Sequence, residues 1–324
     1  MDDSVTLRDV YQARRTIAPW VQRTPLISSS ELSRRTGASV LLKLETVHDI
    51  GAFKIRGATN RIMHLSEDER RRGVVAVSTG NHGRAVAYAA KRVGVHATVF
   101  MSKLVKENKL RAIKDLGAEI RIVGDSQDEA EVEADRLAAE QGMISVHPFD
   151  HPHVIAGQGV IGLELLEDLP KIDCLLAGLS GGGLISGIAL TLKAANPSIR
   201  VIGVSMERGP AMYHSLRAGK PVLVEETETL ADSLGGGIGL NNQYTFSLVS
   251  KYVDETLLVS EEEIAQAMTY LYWNERLVVE GGGAVGVAAL LCGRTTGIKG
   301  NVVCVLSGSN VDMTTFSKIV HDNG

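Results

Sequence analysis

From residue 39 onward, short apolar, β-branched runs alternate with amphipathic helical patterns. The runs are 39–44 (SVLLKL), 74–78 (VVAVS), 97–101 (ATVFM), 119–123 (EIRIV), 143–147 (MISVH), 173–179 (DCLLAGL), 200–205 (RVIGVS) and 301–306 (NVVCVL). Helical patterns follow most of them, over 82–93, 106–116, 127–140, 153–168, 183–195 and 261–276. Near-continuous apolar strands between helices belong to a parallel sheet covered on both faces. Eight such runs also suit a TIM barrel. The units are uneven, however, and 206–260 is long and irregular. The reading is therefore α/β, with two doubly wound parallel-sheet domains and a crevice where strand C-termini meet.

The chain has 324 residues, 44% of them hydrophobic, which is enough for one large domain or two of ordinary size. A net charge of −4 and a pI near 6.2 argue against nucleic acid or a membrane surface as partner. Cys174, Cys292 and Cys304 are widely spaced and each lies in an apolar segment. That predicts buried free thiols in a reducing compartment rather than disulfides or a zinc site. The N-terminus MDDSVTLRDV is acidic and has no apolar signal core. No apolar run approaches the roughly 18 residues of a membrane span, so a cytoplasmic protein is expected.

Several stretches offer chemistry and invite a plainer reading. The loop 147–153 (HPFDHPH) presents His147, Asp150, His151 and His153, but its two prolines and lack of a helical i,i+4 pair favour a solvated crossing between domains over a metal site. The run ERRR (69–72) reads as a solvated helix face. Residues 157–162 and 281–286 match G-x-G-x-x-G. The first lies inside a helical pattern. The second has a strand-like lead-in, RLVV, but Glu280 precedes its first glycine and would oppose a pyrophosphate. A nicotinamide-dependent oxidoreductase is thus a remote alternative.

Two stretches carry more. In GAFKIRGA (51–58), Ile55, Ala58, Ile62 and Leu65 recur at helical spacing and place Lys54 in the first turn of a helix with an apolar start. A partly desolvated ammonium favours the neutral, nucleophilic form that a Schiff-base lysine needs. The plain alternative is a lysine snorkelling from a helix start. Ser180, Gly181, Gly182, Gly183 and Leu184 follow the apolar run CLLAGL and precede the helical LISGIALTLKAA. Successive glycines let backbone N–H groups face one concavity at a helix N-terminus, where an anion is favoured. Without the GK[ST] ending of a P-loop, a single phosphate is the natural ligand, and a tight turn the plain alternative. A buried lysine and a monophosphate nest together point to pyridoxal 5′-phosphate.

GAFKIRGA, STGNH (78–82), SGGGL (180–184) and LSGSN (306–310) stand in the order found in the threonine/serine dehydratase and serine racemase family, the fold-type II pyridoxal phosphate enzymes. The chain resembles that family across nearly its whole length. Within it, STGNHGRAVAYAA, GVSMERG and ADSLGGGIGL are similar to the branch that serves hydroxyectoine utilisation. The resemblance implies a tryptophan synthase β-like fold, with 1–62 and 149–324 as the large cofactor-binding domain and 63–148 as the small substrate-binding domain. It also implies a homodimer.

The resemblance assigns roles residue by residue. Lys54 holds the cofactor as a Schiff base and then moves protons at the substrate α-carbon. Phe53 packs against the ring, Asn81 bonds the ring hydroxyl, and Ser180, Gly181, Gly182, Gly183 and Leu184 cradle the phosphate. Ser307 faces the pyridine nitrogen, and a neutral hydroxyl there makes the ring a weaker electron sink, which favours β-elimination over transamination. Ser78, Thr79, Gly80 and His82 supply donors for the substrate carboxylate. Thr79 also stands where racemases carry an acid/base serine. Gly237, in LGGGI (234–238), belongs to the substrate-facing loop.

Departures from the family matter as much. Cation-binding members use acidic residues where this chain has Ser205 and Ala211, so no metal is expected, although Glu207 is near. The chain stops at Gly324 without the regulatory domain of biosynthetic threonine deaminases, so isoleucine feedback is not expected. Small residues at 234–238, and no arginine near Asp125, Ser126, Gln127 and Asp128, favour a longer cationic or amide-bearing side chain. The expected reaction is dehydration of a β-hydroxy amino acid to an enamine that hydrolyses to a 2-oxo acid and ammonia. A hydroxylated diaminobutyrate is preferred over 3-hydroxyaspartate, with threonine and serine slower. Racemisation and β-replacement are the alternatives, and His82, where β-replacement enzymes carry threonine, argues against the latter.

Overall fold

The computed structural model describes residues 5–323 except 79, 104, 106, 125 and 126, and of residues 108, 127 and 128 the backbone alone. The strands are β1 (Leu26–Ser28), β2 (Ser39–Leu44), β3 (Val74–Val77), β4 (Ala97–Met101), β5 (Glu119–Ile122), β6 (Ile144–Ser145), β7 (Cys174–Gly178), β8 (Arg200–Met206), β9 (Glu255–Val259) and β10 (Asn301–Leu306). They form two sheets, with orders β1-β2-β10-β7-β8-β9 and β5-β4-β3-β6. Every pairing is parallel except that of β1 with β2. Two open sheets exclude the barrel.

The continuous apolar runs have a direct cause. Alternate side chains of one strand point to opposite faces. On β10, Val302, Cys304 and Leu306 join one core with Leu42 and Leu176, whereas Val303 and Val305 join another with Leu175 and Ala177. β3 does the same, with Val74 and Ala76 on one side and Val75 on the other. Buried on both faces, such strands need no polar alternation. β1 and β9 lack this signal: β1 has three residues, and β9 is a half-buried edge strand beginning Glu255-Thr256.

Helix Lys54–Met63 packs against helix Asn81–Val93 on one side and helix Pro152–Asp168 on the other. Its buried face holds Ile55, Ala58 and Ile62, with Leu65 just beyond. Glycine permits the close approach: a Cβ on Gly157 would lie 2.7 Å from Gly57 Cα and 2.8 Å from the Arg56 carbonyl oxygen. The glycines of 157–162 are therefore helix-packing residues. In the second match, a Cβ on Gly281 would fall 2.1 Å from the Leu230 carbonyl oxygen. Its expected lead-in strand is not one: 276–280 is irregular and follows a π-helical turn over Leu271–Glu275. Neither stretch is built as a dinucleotide loop.

Beneath the same helix lies a buried ionic network. The Arg56 guanidinium donates to Glu45 at 2.7 and 2.9 Å and to Glu164 at 2.6 and 2.9 Å. Lys43 Nζ meets Glu164 at 2.7 Å, and His48 Nε2 lies 3.0 Å from Glu45. Paired and hydrogen-bonded, these charges tolerate burial.

The loop 147–153 is half-buried, not solvated. His147 Nδ1 accepts from the Phe149 and Asp150 N–H groups, and the Asp150 carboxylate accepts from the N–H groups of Gln243, Tyr244 and Thr245. His151 caps helix Pro152–Asp168. Burial first, then neighbouring cations, hold His151 down to about 3. Among the described residues, no group of three or more His, Cys, Asp or Glu is placed to hold a metal ion, and no helix is long and apolar enough to cross a membrane. Ser205 is buried in β8, and Ala211 is the buried first residue of helix Ala211–Ala218. Cys174 and Cys304 are buried free thiols, as expected; Cys292 departs from that expectation and is only half-buried, because its helix ends at Leu291 near the surface.

Candidate active site

The C-terminal ends of β3, β7 and β10 open onto a cavity of about 550 Å³. Its walls include Phe53, Lys54, Ser78, Gly80, Asn81, His82, Ser180, Gly181, Gly182, Gly183, Leu184, Ser307 and Gly237. These candidates come from widely separated segments and meet in one place. Thr79, Asp125 and Ser126 lie outside the described residues, as do the side chains of Gln127 and Asp128.

Lys54 is the first residue of its helix. Its Nζ donates to the Pro148 carbonyl oxygen at 2.7 Å and sits 5.3 Å from the Phe53 ring centroid. Burial disfavours the ammonium and lowers its pKa to about 8, against the pull of the Glu280 charge. The amine is thus much closer to its neutral form at neutral pH than an exposed lysine.

The glycine stretch is shaped by its neighbours. Gly182 has a φ of +86°, the left-handed region open to glycine. A Cβ on Gly181 would lie 2.3 Å from the Phe149 ring. The loop must be bare both to turn and to lie on Phe149. The Ser186 N–H is bonded to the Gly182 carbonyl, so the N–H groups upstream remain the open donors of the start of helix Gly183–Ala195. That nest selects an anion.

On the facing wall, Ser78 Oγ accepts from the Gly80 N–H at 3.1 Å, and helix Asn81–Val93 begins at once. His82 Nε2 lies 2.6 Å from the Val146 carbonyl oxygen, so this nitrogen carries the proton. Burial, then the charges of Lys54 and His147, keep the ring neutral with a pKa near 3. Its single N–H is already committed. Donors for a carboxylate at this wall are the Ser78 hydroxyl, whose oxygen accepts from Gly80 and whose hydrogen stays available, and backbone N–H groups at the helix start. Ser307 is 5% exposed at the end of β10, and its carbonyl accepts from the Phe53 N–H at 3.0 Å, fastening that strand end to the Lys54 turn.

Four further residues belong to the site. Asn81 Nδ2 donates to Glu280 at 2.7 Å, Asn310 N–H to Glu280 at 2.9 Å, Asn310 Nδ2 to Asn81 Oδ1 at 2.6 Å, and Arg84 to Asn310 Oδ1 at 2.6 Å. Glu280 is 3% exposed, and burial pushes its carboxyl up despite hydrogen bonds from Ser233, Asn81 and Asn310. Phe149 is the floor of the glycine nest. Glu280 had a sequence signal: an acid set between VV and a glycine-rich apolar helix sits where a surface residue would not. Asn310, Arg84 and Phe149 lie inside the stretches LSGSN, STGNHGRAVAYAA and HPFDHPH, but nothing in those letters gave them a role of their own.

An anion nest and a depressed amine facing one cavity, with room for a cofactor and a small amino acid, define a pyridoxal phosphate site. Residues 17–308 match the family of pyridoxal-phosphate dependent enzymes, and the chain belongs to that family. It is 51% identical to a Sinorhizobium fredii protein assigned by name to the threonine dehydratases, over 98% of this chain and 96% of that one. To the L-threonine ammonia-lyase of Thermotoga maritima it is 46% identical, over 98% of this chain and 78% of the relative. The structure of maize serine racemase superimposes with a TM-score of 0.91 at 35% identity, covering 98% of both chains.

Proposed function

We propose that this protein is a pyridoxal phosphate-dependent dehydratase of the threonine ammonia-lyase type. It removes water from a β-hydroxy amino acid, and the resulting enamine is hydrolysed to a 2-oxo acid and ammonia. The observation that carries the reading is Lys54, whose lowered-pKa amine faces the same cavity as the glycine nest. Pyridoxal phosphate, when bound, supplies an electron-withdrawing carbonyl and ring that make the α-hydrogen of an amino acid acidic. Lys54 then takes that α-proton as a neutral amine. The glycine nest holds the phosphate, Phe53 packs on the ring, Asn81 donates to the ring oxygen, and Ser307 meets the ring nitrogen with a neutral hydroxyl. The Ser78 hydroxyl and the backbone N–H groups of Asn81 and His82 hold the substrate carboxylate, with Gly80 N–H fixing Ser78 Oγ. In this reading 63–148 is the small substrate-binding domain, with 1–62 and 149–324 the large one. The working unit is a cytoplasmic homodimer, which sedimentation checks.

The substrate reading goes further. Glu131 and Asp135 from helix Gln127–Gln141, with Glu226, put carboxylates on the cavity wall, where Asp232 is paired with Lys109 at 2.8 Å, while 235–239 is almost all glycine. Acidic walls and free space favour a longer cationic side chain and disfavour a second carboxylate. A hydroxylated diaminobutyrate of the kind hydroxyectoine would yield is the preferred substrate. The deciding measurement is kcat/KM for this compound, threonine, serine and 3-hydroxyaspartate side by side. Preference for 3-hydroxyaspartate ends the substrate reading; strong threonine turnover restores an ordinary threonine dehydratase. Racemisation is a second reading, favoured by the likeness to maize serine racemase; chiral analysis of recovered serine tests it.

A further inference from the structure

Four side chains at the cavity wall fix one another's orientation. Arg84 can only donate, and it meets Asn310 Oδ1 at 2.6 Å. The Asn310 amide nitrogen therefore faces the other way, toward the Ile50 carbonyl at 2.7 Å and Asn81 Oδ1 at 2.6 Å. With its oxygen so engaged, Asn81 must turn its nitrogen to Glu280 Oε1 at 2.7 Å. Reversing either amide would set oxygen against carboxylate or N–H against guanidinium. Asn310 Nδ2 has used both hydrogens. Asn81 Nδ2 has used one and keeps the second for the cavity it lines.

Glu280 is costly for a mere filler. Its carboxylate is buried and held by the neutral donors Asn81, the Asn310 N–H and Ser233. A buried acid in that place persists only where its hydrogen bonds are well made.

We propose that Glu280 is a positioning residue that, with Arg84 and Asn310, locks the Asn81 amide so that the cavity meets one hydrogen-bond donor, and no acceptor, at this point. The inference rests on the pyridoxal phosphate reading, in which Asn81 contacts the ring oxygen. A donor without an acceptor selects the ionised oxygen over the hydroxyl.

Two measurements test the lock. Apoenzyme is titrated with pyridoxal phosphate as wild type, Asn81→Ala, Glu280→Gln and the double variant. In apo protein labelled at asparagine, the side-chain ¹H–¹⁵N signals of Asn81 are identified by their loss in Asn81→Ala. Each single change should weaken cofactor binding about tenfold, and the double variant should be no weaker than the weaker single one, as for residues acting through one contact. Glu280→Gln should move the Asn81 amide signals. Multiplying effects in the double variant, which would mean that Glu280 acts through Lys54 instead, or unmoved amide signals, would overturn the proposal. If Glu280→Gln does not fold, Arg84→Met carries the same cycle from the other end of the chain. Failure of wild type to bind pyridoxal phosphate would refute the cofactor reading, and the apo amide signals would still decide the lock.

Discussion

Lys54 Nζ donates a 2.7 Å hydrogen bond to the carbonyl oxygen of Pro148, 94 residues away along the chain. The bond joins the helix bearing the amine to the segment through which the chain leaves the four-stranded sheet for the six-stranded one. A neutral acceptor holds the amine with a net strength of about 1 kcal/mol, so it is ordered and still easily released.

Replacing Lys54 by alanine should cut turnover by at least about 10³-fold, because the route through the amine is lost while the helix keeps its buried face. Borohydride treatment of the wild type with pyridoxal phosphate should tag the peptide containing Lys54, and the variant should show no tag. Near-wild-type elimination by the variant would end the functional proposal.

Cofactor capture should depend on pH in a defined direction. The neutral amine is the nucleophile, and its pKa is lowered to about 8 by burial. The rate at which apoenzyme takes up pyridoxal phosphate covalently should rise with pH through about 8 and then level off. An ordinary lysine would show a rate still climbing near its usual value of about 10.4. Stopped-flow absorbance across this range separates the two.

The bare loop gives a paired test. Gly181→Ala should lower cofactor content and melting temperature, because the added Cβ falls 2.3 Å from the Phe149 ring. Phe149→Ala in the same chain should recover part of the loss. Gly182→Asp should expel the cofactor by placing a carboxylate in an anion site; full cofactor content in that variant would put the nest elsewhere.

Arg56→Met should destabilise the fold by about 3–5 kcal/mol, since it leaves Glu45 and Glu164 buried without their shared cation. Burial alone would raise the Glu45 pKa, but Arg56 and His48 outweigh it and hold it well below the usual carboxylate range. A depressed acid lends stability that is complete above its unfolded value, near 4.3, and is lost as pH falls toward the folded one. Urea melts should therefore show wild-type stability dropping below about pH 4, with a shallower drop in the variant. A loss under 1 kcal/mol at neutral pH would mean the network is decorative.

Much of this molecule was legible in local sequence. The apolar runs of β2, β4, β7 and β10 were visible because both faces of these strands are buried, and the Lys54 helix because Ile55, Ala58 and Ile62 repeat at its period. The glycine nest was visible because a bare turn between strand and helix has few other uses. β9 was not, since an edge strand that buries little needs no apolar run. The loop 147–153 misled because its polar letters suggest solvent, whereas His147, His151 and Asp150 are spent on backbone N–H groups at half-buried positions.

What tertiary structure alone decided is which groups face one another. Nothing in the letters places Phe149 beneath Gly181, or commits the His82 ring proton to Val146. Nor does any local pattern turn the Asn81 amide toward Glu280. Sequence by itself determined periodicity and turn chemistry, because these act over a few neighbouring residues. An amide's orientation is settled by partners up to 229 residues away, and only the packed fold brings Asn310 to Asn81.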